Sequence, residues 1–169
     1  YVKYLGLPLC DVPAPDGSDQ GYADYYLADL PKISKELRLD MEIMRAHEKY
    51  QSGFFVPVIE RALDSITEIR TILEKVSGRQ LDESWSPVQV IEDGYLKNRK
   101  FLSIDKSNKA ITYEDKNGNS QVIDYTDGKV KLNWRIDWPA RWALLEVDAE
   151  PFGRDHATKG GSYETGAVI

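Results

Sequence analysis

Cysteine occurs once in this 169-residue sequence, at Cys10, so no internal disulfide forms and no thiolate cluster is on hand for a structural zinc. That usage suits a reducing compartment. Only two histidines are present, His47 and His156, too far apart in sequence to give a local metal site or a Cys–His dyad from neighbouring residues. No run of roughly 18 apolar residues occurs, so no helical membrane span is expected, and the opening Tyr1-Val2-Lys3-Tyr4-Leu5-Gly6 does not read as a signal peptide. Positive charge is in deficit, because 22 Lys and Arg stand against 28 Asp and Glu, a net −6 and a pI of about 5.0. Without an overall basic field, a nucleic-acid partner needs a local patch or further parts of the protein. The patterns G-x-x-x-x-G-K-[ST], G-x-G-x-x-G and G-x-S-x-G are missing as well, which counts against P-loop and serine-hydrolase readings.

What is present is the profile of a globular chain with a packed core: 41% hydrophobic, 11% aromatic and 30% charged residues. The length allows one ordinary domain or two small lobes. The absence of an initiator Met and an end at Ala167-Val168-Ile169 lead to the expectation of an internal piece of a longer protein.

Residues 1–19 hold Pro8, Pro13, Pro15, Gly6 and Gly17 and read as an extended acidic loop, followed by a helix from near Ser18 or Asp19 that carries Tyr22, Tyr25 and Tyr26. Ser34 to Leu39 reads as a helix, and the alternation Leu39-Asp40-Met41-Glu42-Ile43 as a half-buried strand. A long helix is expected from about Phe54 to Val76, because Val58, Ile59, Ala62, Leu63, Ile66, Ile69, Leu73 and Val76 recur at spacings of three and four. Ser52 or Gly53 caps it, Pro57 is tolerated in its first turn, and Gly78 stands where a C-terminal cap glycine belongs.

From 86 to 133 the pattern turns to short alternating runs separated by Asp93-Gly94, Lys106-Ser107-Asn108, Asn117-Gly118-Asn119 and Asp127-Gly128. This predicts an antiparallel β lobe of four or five strands. Residues 134–169 read as α/β: a helix over Pro139 to Leu145, a strand over Val147 to Phe152, and a last helix opened by Gly160-Gly161-Ser162, together half of a βαβ unit.

Chemistry-bearing residues concentrate in that last segment, where Trp134, Trp138 and Trp142 precede Glu150-Pro151-Phe152-Gly153-Arg154-Asp155-His156 and Gly160-Gly161-Ser162. Polar groups directly after a strand are where open α/β sheets bind ligands, and a double glycine before a helix lets backbone N–H groups approach an anion or a ribose. Plainer readings stand beside these. The tryptophans also fit a hydrophobic seam, Arg135 and Arg141 fit ion pairs with Asp137 or Glu146, His156 fits a hydrogen-bonded core histidine, and Gly160-Gly161 fits ordinary loop punctuation.

The block Lys131-Leu132-Asn133-Trp134-Arg135-Ile136-Asp137-Trp138-Pro139-Ala140-Arg141-Trp142, then Val147-Asp148, Glu150 to Ala157 and Gly160 to Gly166, is similar almost position by position to the archaeal-type class I lysyl-tRNA synthetases. Weaker likeness extends upstream through Tyr4 to Leu9, Val12-Pro13, Pro15, Gly17 and Tyr50-Gln51-Ser52-Gly53, so it covers essentially the whole chain. The resemblance implies a ligase that activates lysine with ATP and Mg2+ and transfers it to the 3′ end of tRNA(Lys), in the cytoplasm and away from membranes. It implies an α/β fold with an α+β insertion: 1–19 as the loop after a first Rossmann half, 20–85 as the helical part of a connective insertion, 86–133 as a small β lobe, and 134–169 as the start of the second Rossmann half. That β lobe matches the place of a zinc ribbon in many members, and here it holds no cysteine, so no metal is expected in it. The H-x-G-H and K-M-S-K-S motifs of the class are absent, so catalytic residues are expected outside these residues and the piece alone is expected to be inactive.

On the same resemblance Trp134 becomes the wall for the lysine stem, Asp137 a partner for its ammonium, and His156 with Asp155 a polar contact to bound lysine. Gly160, Gly161 and Ser162 are expected to face the adenosine ribose or α-phosphate. An alternative of another class is a non-catalytic, synthetase-related module that binds a tRNA acceptor end or a protein partner.

Overall fold

The computed structural model describes residues 1–169. Its chain begins with 3-10 turns at Val2–Tyr4 and Leu9–Asp11, then five helices: α1 (Tyr22–Leu27), α2 (Leu30–Glu36), α3 (Ala46–Gln51), α4 (Val56–Asp64) and α5 (Ile66–Ser77). Six strands follow: β1 (Val88–Glu92), β2 (Tyr95–Asn98), β3 (Lys100–Asp105), β4 (Ala110–Glu114), β5 (Ser120–Asp124) and β6 (Val130–Leu132). Helix α6 (Trp134–Leu144), a 3-10 turn at Arg154–Ala157 and α7 (Ser162–Gly166) complete the chain.

The helix expected over Phe54–Val76 is two helices, divided at Ser65, whose backbone (φ −112°, ψ 25°) leaves the helical region. One interrupted residue does not shift the apolar register, so Ile59, Ala62 and Leu63 of α4 and Ile69 and Leu73 of α5 still enter the same core. Pro57 does sit in the first turn of α4, and Gly78 ends α5 in the left-handed conformation at φ +68°. Helix α2 starts earlier than the predicted Ser34, at Leu30 with Pro31 in its first turn, and α1 starts at Tyr22.

The strand expected over Leu39–Ile43 is irregular and exposed. Alternation describes one chain only, and without a second strand its backbone has no ladder to join. The same holds for the strand expected over Val147–Phe152, which is a loop. With it goes the half βαβ unit: 134–169 forms two helices, a 3-10 turn and connecting loops.

The β lobe has six strands in two three-stranded antiparallel sheets, ordered β2-β1-β6 and β3-β4-β5. The Asp93-Gly94 turn joins β1 to β2, with Glu92 opposite Tyr95; β2 was missed because Tyr95-Leu96-Lys97-Asn98 has no clear alternation. Strand β6 returns to the far edge of β1, pairing Val90 with Val130 and Val88 with Leu132.

One continuous core joins these parts. Tyr50, Phe55, Ile59 and Leu73 of the helical region, Val90, Ile111, Val130 and Leu132 of the sheets, and Ile136 and Ala140 of α6 belong to a single buried cluster. Three short strands on a hydrophobic face need such a neighbour to be stable, and the helices provide it.

Candidate functional site

Helix α6 begins sooner than the predicted Pro139, because Asn133 caps it and accepts the Arg135 N–H at 3.4 Å. Starting at Trp134 places Trp134, Trp138 and Trp142 four residues apart on one stripe of the helix. Ile136 and Ala140 turn the adjoining face into the core.

The tryptophan stripe carries a second layer of rings. Trp138 meets Trp142 at 5.1 Å between centroids, Phe152 edge-on at 5.6 Å and His156 at 5.3 Å. His156 also lies 6.1 Å from the ring of Trp134, while Tyr163 of α7 stacks on Phe152 at 4.9 Å. Edge-to-face and offset contacts of this kind are the arrangements that aromatic quadrupoles favour. Glu150 anchors the loop to them: its Oε2 accepts the indole N–H of Trp138 at 2.8 Å and that of Trp142 as well. Alongside lies a cavity of about 420 Å³ lined by Trp142, Val147, Glu150, Phe152 and Tyr163.

Trp134 and His156 are therefore brought together, with Trp134 half-exposed at 50%. Asp155 sits beside the imidazole, its Oδ2 3.6 Å from Nε2, and is open to solvent. Asp137 goes elsewhere. It is buried, and its carboxylate accepts the Tyr50 hydroxyl at 2.5 Å through Oδ1 and Arg141 Nε at 2.6 Å through Oδ2. The Arg141–Asp137 ion pair was one of the plain readings of the sequence; the Tyr50 bond, 87 positions away in sequence, carried no signal there.

Gly160-Gly161-Ser162 does lead into a helix, α7, of only five residues. Both glycine N–H groups are used internally: Gly160 donates to Glu164 Oε2 at 2.6 Å and Gly161 to the Thr158 carbonyl at 2.7 Å. Close packing also requires the glycines. A Cβ on Gly161 would lie 2.5 Å from the Thr158 carbonyl oxygen, and one on Gly160, at φ +70°, 3.0 Å from the Val76 carbonyl oxygen at the end of α5. Ser162 is buried.

Other reactive groups are quiet. Burial and neighbouring Asp11 push the Cys10 thiol up, which suppresses the thiolate. No three His, Cys, Asp or Glu side chains converge as a metal site would require. No helix is long and apolar enough to cross a membrane. Phe152, Tyr163 and Glu150 were missed as a group, because their convergence on α6 depends on the 145–161 loop folding back.

The family described as tRNA synthetases class I (K) matches residues 1–169. This chain belongs to that family. Lysine–tRNA ligase 1 of Methanosarcina acetivorans is 40% identical to it over 171 residues, covering 100% of this chain and 32% of its own length. The lysine–tRNA ligase of Archaeoglobus fulgidus is 37% identical, with 100% and 34% covered, and that of Methanococcus maripaludis 36% identical, with 100% and 32%. The chain thus spans about a third of the length of the curated relatives it matches.

Proposed function

We propose that this chain is part of a lysine–tRNA ligase that activates lysine with ATP to lysyl-adenylate and transfers it to the 3′ end of tRNA(Lys). The observation that carries this reading is the family match over the whole chain, with relatives named lysine–tRNA ligase at 34–40% identity. The same match weighs against a non-catalytic binding module. In this reading 134–169 opens the second half of a Rossmann-type catalytic domain and 20–133 is its connective insertion, helical to 85 and β-rich from 86.

In amino-acid activation the substrate carboxylate attacks the α-phosphate, so the protein positions reactants and offsets developing charge without a nucleophile of its own. Mg2+ supplies charge neutralisation on the ATP phosphates when bound; none of the residues here is assigned to it.

Lysine needs an apolar wall for its stem and negative or π-rich groups for its ammonium. An indole face meets both needs, with a cation–π contribution of roughly 0.5–2 kcal/mol. Trp134, half-exposed and with the Arg135 guanidinium 5.8 Å from its ring centroid, and His156 beside it form that wall, and Asp155 is an exposed carboxylate next to the imidazole. Asp137, expected at the ammonium, is held by Tyr50 and Arg141 and acts behind the wall. Gly160, Gly161 and Ser162 are assigned to the adenosine side, where a ligand oxygen would take the Gly160 N–H from Glu164.

Lysine-dependent ATP–pyrophosphate exchange by the full-length protein tests the reading. Exchange that depends on lysine supports it; exchange with glutamate and not lysine overturns it.

A further inference from the structure

A polar cluster behind the tryptophan stripe takes no direct part in binding lysine or ATP in the reading above. The Tyr50 hydroxyl donates to Asp137 Oδ1 at 2.5 Å and accepts the Leu132 N–H at 3.2 Å, while Arg141 Nε donates to Asp137 Oδ2 at 2.6 Å. The Tyr50 ring stacks on Phe55 at 4.1 Å and 9°, and the Arg141 guanidinium lies 5.8 Å from the centroid of the same Phe55 ring. Four elements meet here: α3 through Tyr50, the start of α4 through Phe55, the end of β6 through Leu132, and α6 through Asp137 and Arg141.

Apolar packing of Ile136 and Ala140 is non-directional and tolerates small rotations of α6. The bonds to Tyr50 and Arg141 do not, because leaving a buried carboxylate or hydroxyl without its partner is costly. They act on the turn of α6 immediately after Trp134 and beside Trp138. A displacement of half an ångström to one ångström forfeits a quarter to a half of a van der Waals contact, so a wall against a lysine stem is sensitive to such rotation.

We infer that Tyr50, Asp137 and Arg141 are positioning residues: they set the orientation of α6 from the insertion side and so determine lysine affinity without touching lysine. The inference rests on assigning the Trp134–His156 wall to lysine. It also gives the helical region and β lobe a role in substrate binding, since Tyr50 and Leu132 belong to them.

The test is steady-state ATP–pyrophosphate exchange by the full-length protein carrying Tyr50→Phe, which keeps the ring stacked on Phe55 and removes the hydroxyl. The lysine KM is expected to rise about tenfold with the ATP KM within twofold of the parent value. Combined with Trp134→Ala, the increase should fall short of the product of the single effects, because both act on one wall. Arg141→Lys, which keeps the charge and loses the Nε geometry, provides a second variant with the same expectation should Tyr50→Phe fold poorly. A lowered melting temperature with an unchanged lysine KM, or equal rises for lysine and ATP, would overturn the inference. Should Trp134→Ala itself leave the lysine KM unchanged, the wall assignment falls and this inference with it; a raised KM in Trp134→Ala beside an unchanged one in Tyr50→Phe sinks the inference alone.

Discussion

Trp138 donates its indole N–H to Glu150 at 2.8 Å, and through that bond the 145–153 loop is tied to α6. Trp142 donates to the same oxygen, so one carboxylate orders two rings of the stripe. Glu150→Ala removes the acceptor that both indoles share and should loosen the loop. The expected signature is a change in tryptophan fluorescence and near-ultraviolet circular dichroism with helix content retained. Spectra identical to those of the parent would show that the loop holds without Glu150.

Trp134→Ala is expected to raise the lysine KM of the full-length protein about tenfold while the ATP KM stays near its parent value, in line with one cation–π and packing contact. Kinetics of pyrophosphate exchange with each substrate varied in turn check this. Equal effects on both substrates, or none, remove Trp134 from the lysine site.

Glycine substitutions should separate crowding from backbone strain. Gly161→Ala places a methyl group 2.5 Å from the Thr158 carbonyl oxygen, in backbone that must move, and should cost about 2–3 kcal/mol. Gly118→Ala, at φ +82° with nothing within 4 Å, meets only the left-handed penalty of about 1 kcal/mol. Urea denaturation of the two variants side by side measures the difference; a larger loss at Gly118 would contradict the packing described for the Gly160-Gly161 segment.

Phe55 is fully buried against Tyr50 and Phe54, and Phe55→Ala should destabilise the fold by about 3–5 kcal/mol. The same urea experiment reads it. A loss below about 1 kcal/mol would mean that the site collapses around the missing ring.

Alkaline pH should weaken the fold through its tyrosines. Burial and neighbouring Glu92 push the Tyr113 phenol up to about 12, and burial with Asp137 or Glu60 raises Tyr50 and Tyr125 in the same direction. The folded chain holds these protons more tightly than the unfolded chain, whose phenols ionise near 10. The contribution of Tyr113 is therefore complete below about pH 10 and is lost as pH rises through about 12, and those of Tyr50 and Tyr125 are lost only at still higher pH. Phenolate absorbance followed against pH should show these groups ionising together with unfolding, and Tyr113→Phe should diminish that late phase. Ionisation of every tyrosine near pH 10 with the fold intact would be the contrary result.

Much of the fold was legible where a signal is local. The stripe Ile59, Ala62, Leu63, Ile69 and Leu73 marks a helical face, Gly78 its end, and Asp93-Gly94 and Asp127-Gly128 the turns between strands. The strands expected over Leu39–Ile43 and Val147–Phe152 failed for one reason: alternation states what one chain offers, and a strand exists only when a second backbone accepts its hydrogen bonds. Within the candidate site, Trp134 and His156 were legible as chemistry-bearing residues, and the structure sets them side by side. Asp137 was legible as an ion-pair partner of Arg141, whereas its bond to Tyr50 was not.

Sequence by itself determined the residue types and local periods: a single cysteine that excludes a disulfide within these residues, an acidic balance, an amphipathic helical stretch, a turn-punctuated β segment and a tryptophan-rich block. Only the tertiary structure decided that Tyr50 reaches Asp137, that Glu150 holds Trp138 and Trp142, and that the glycine N–H groups are spent on Glu164 and Thr158. The physical reason is distance along the chain. Propensity and period act over a few residues, whereas a hydrogen bond between α3 and α6 exists only after the common core has brought the two helices within about 3 Å of each other's polar atoms.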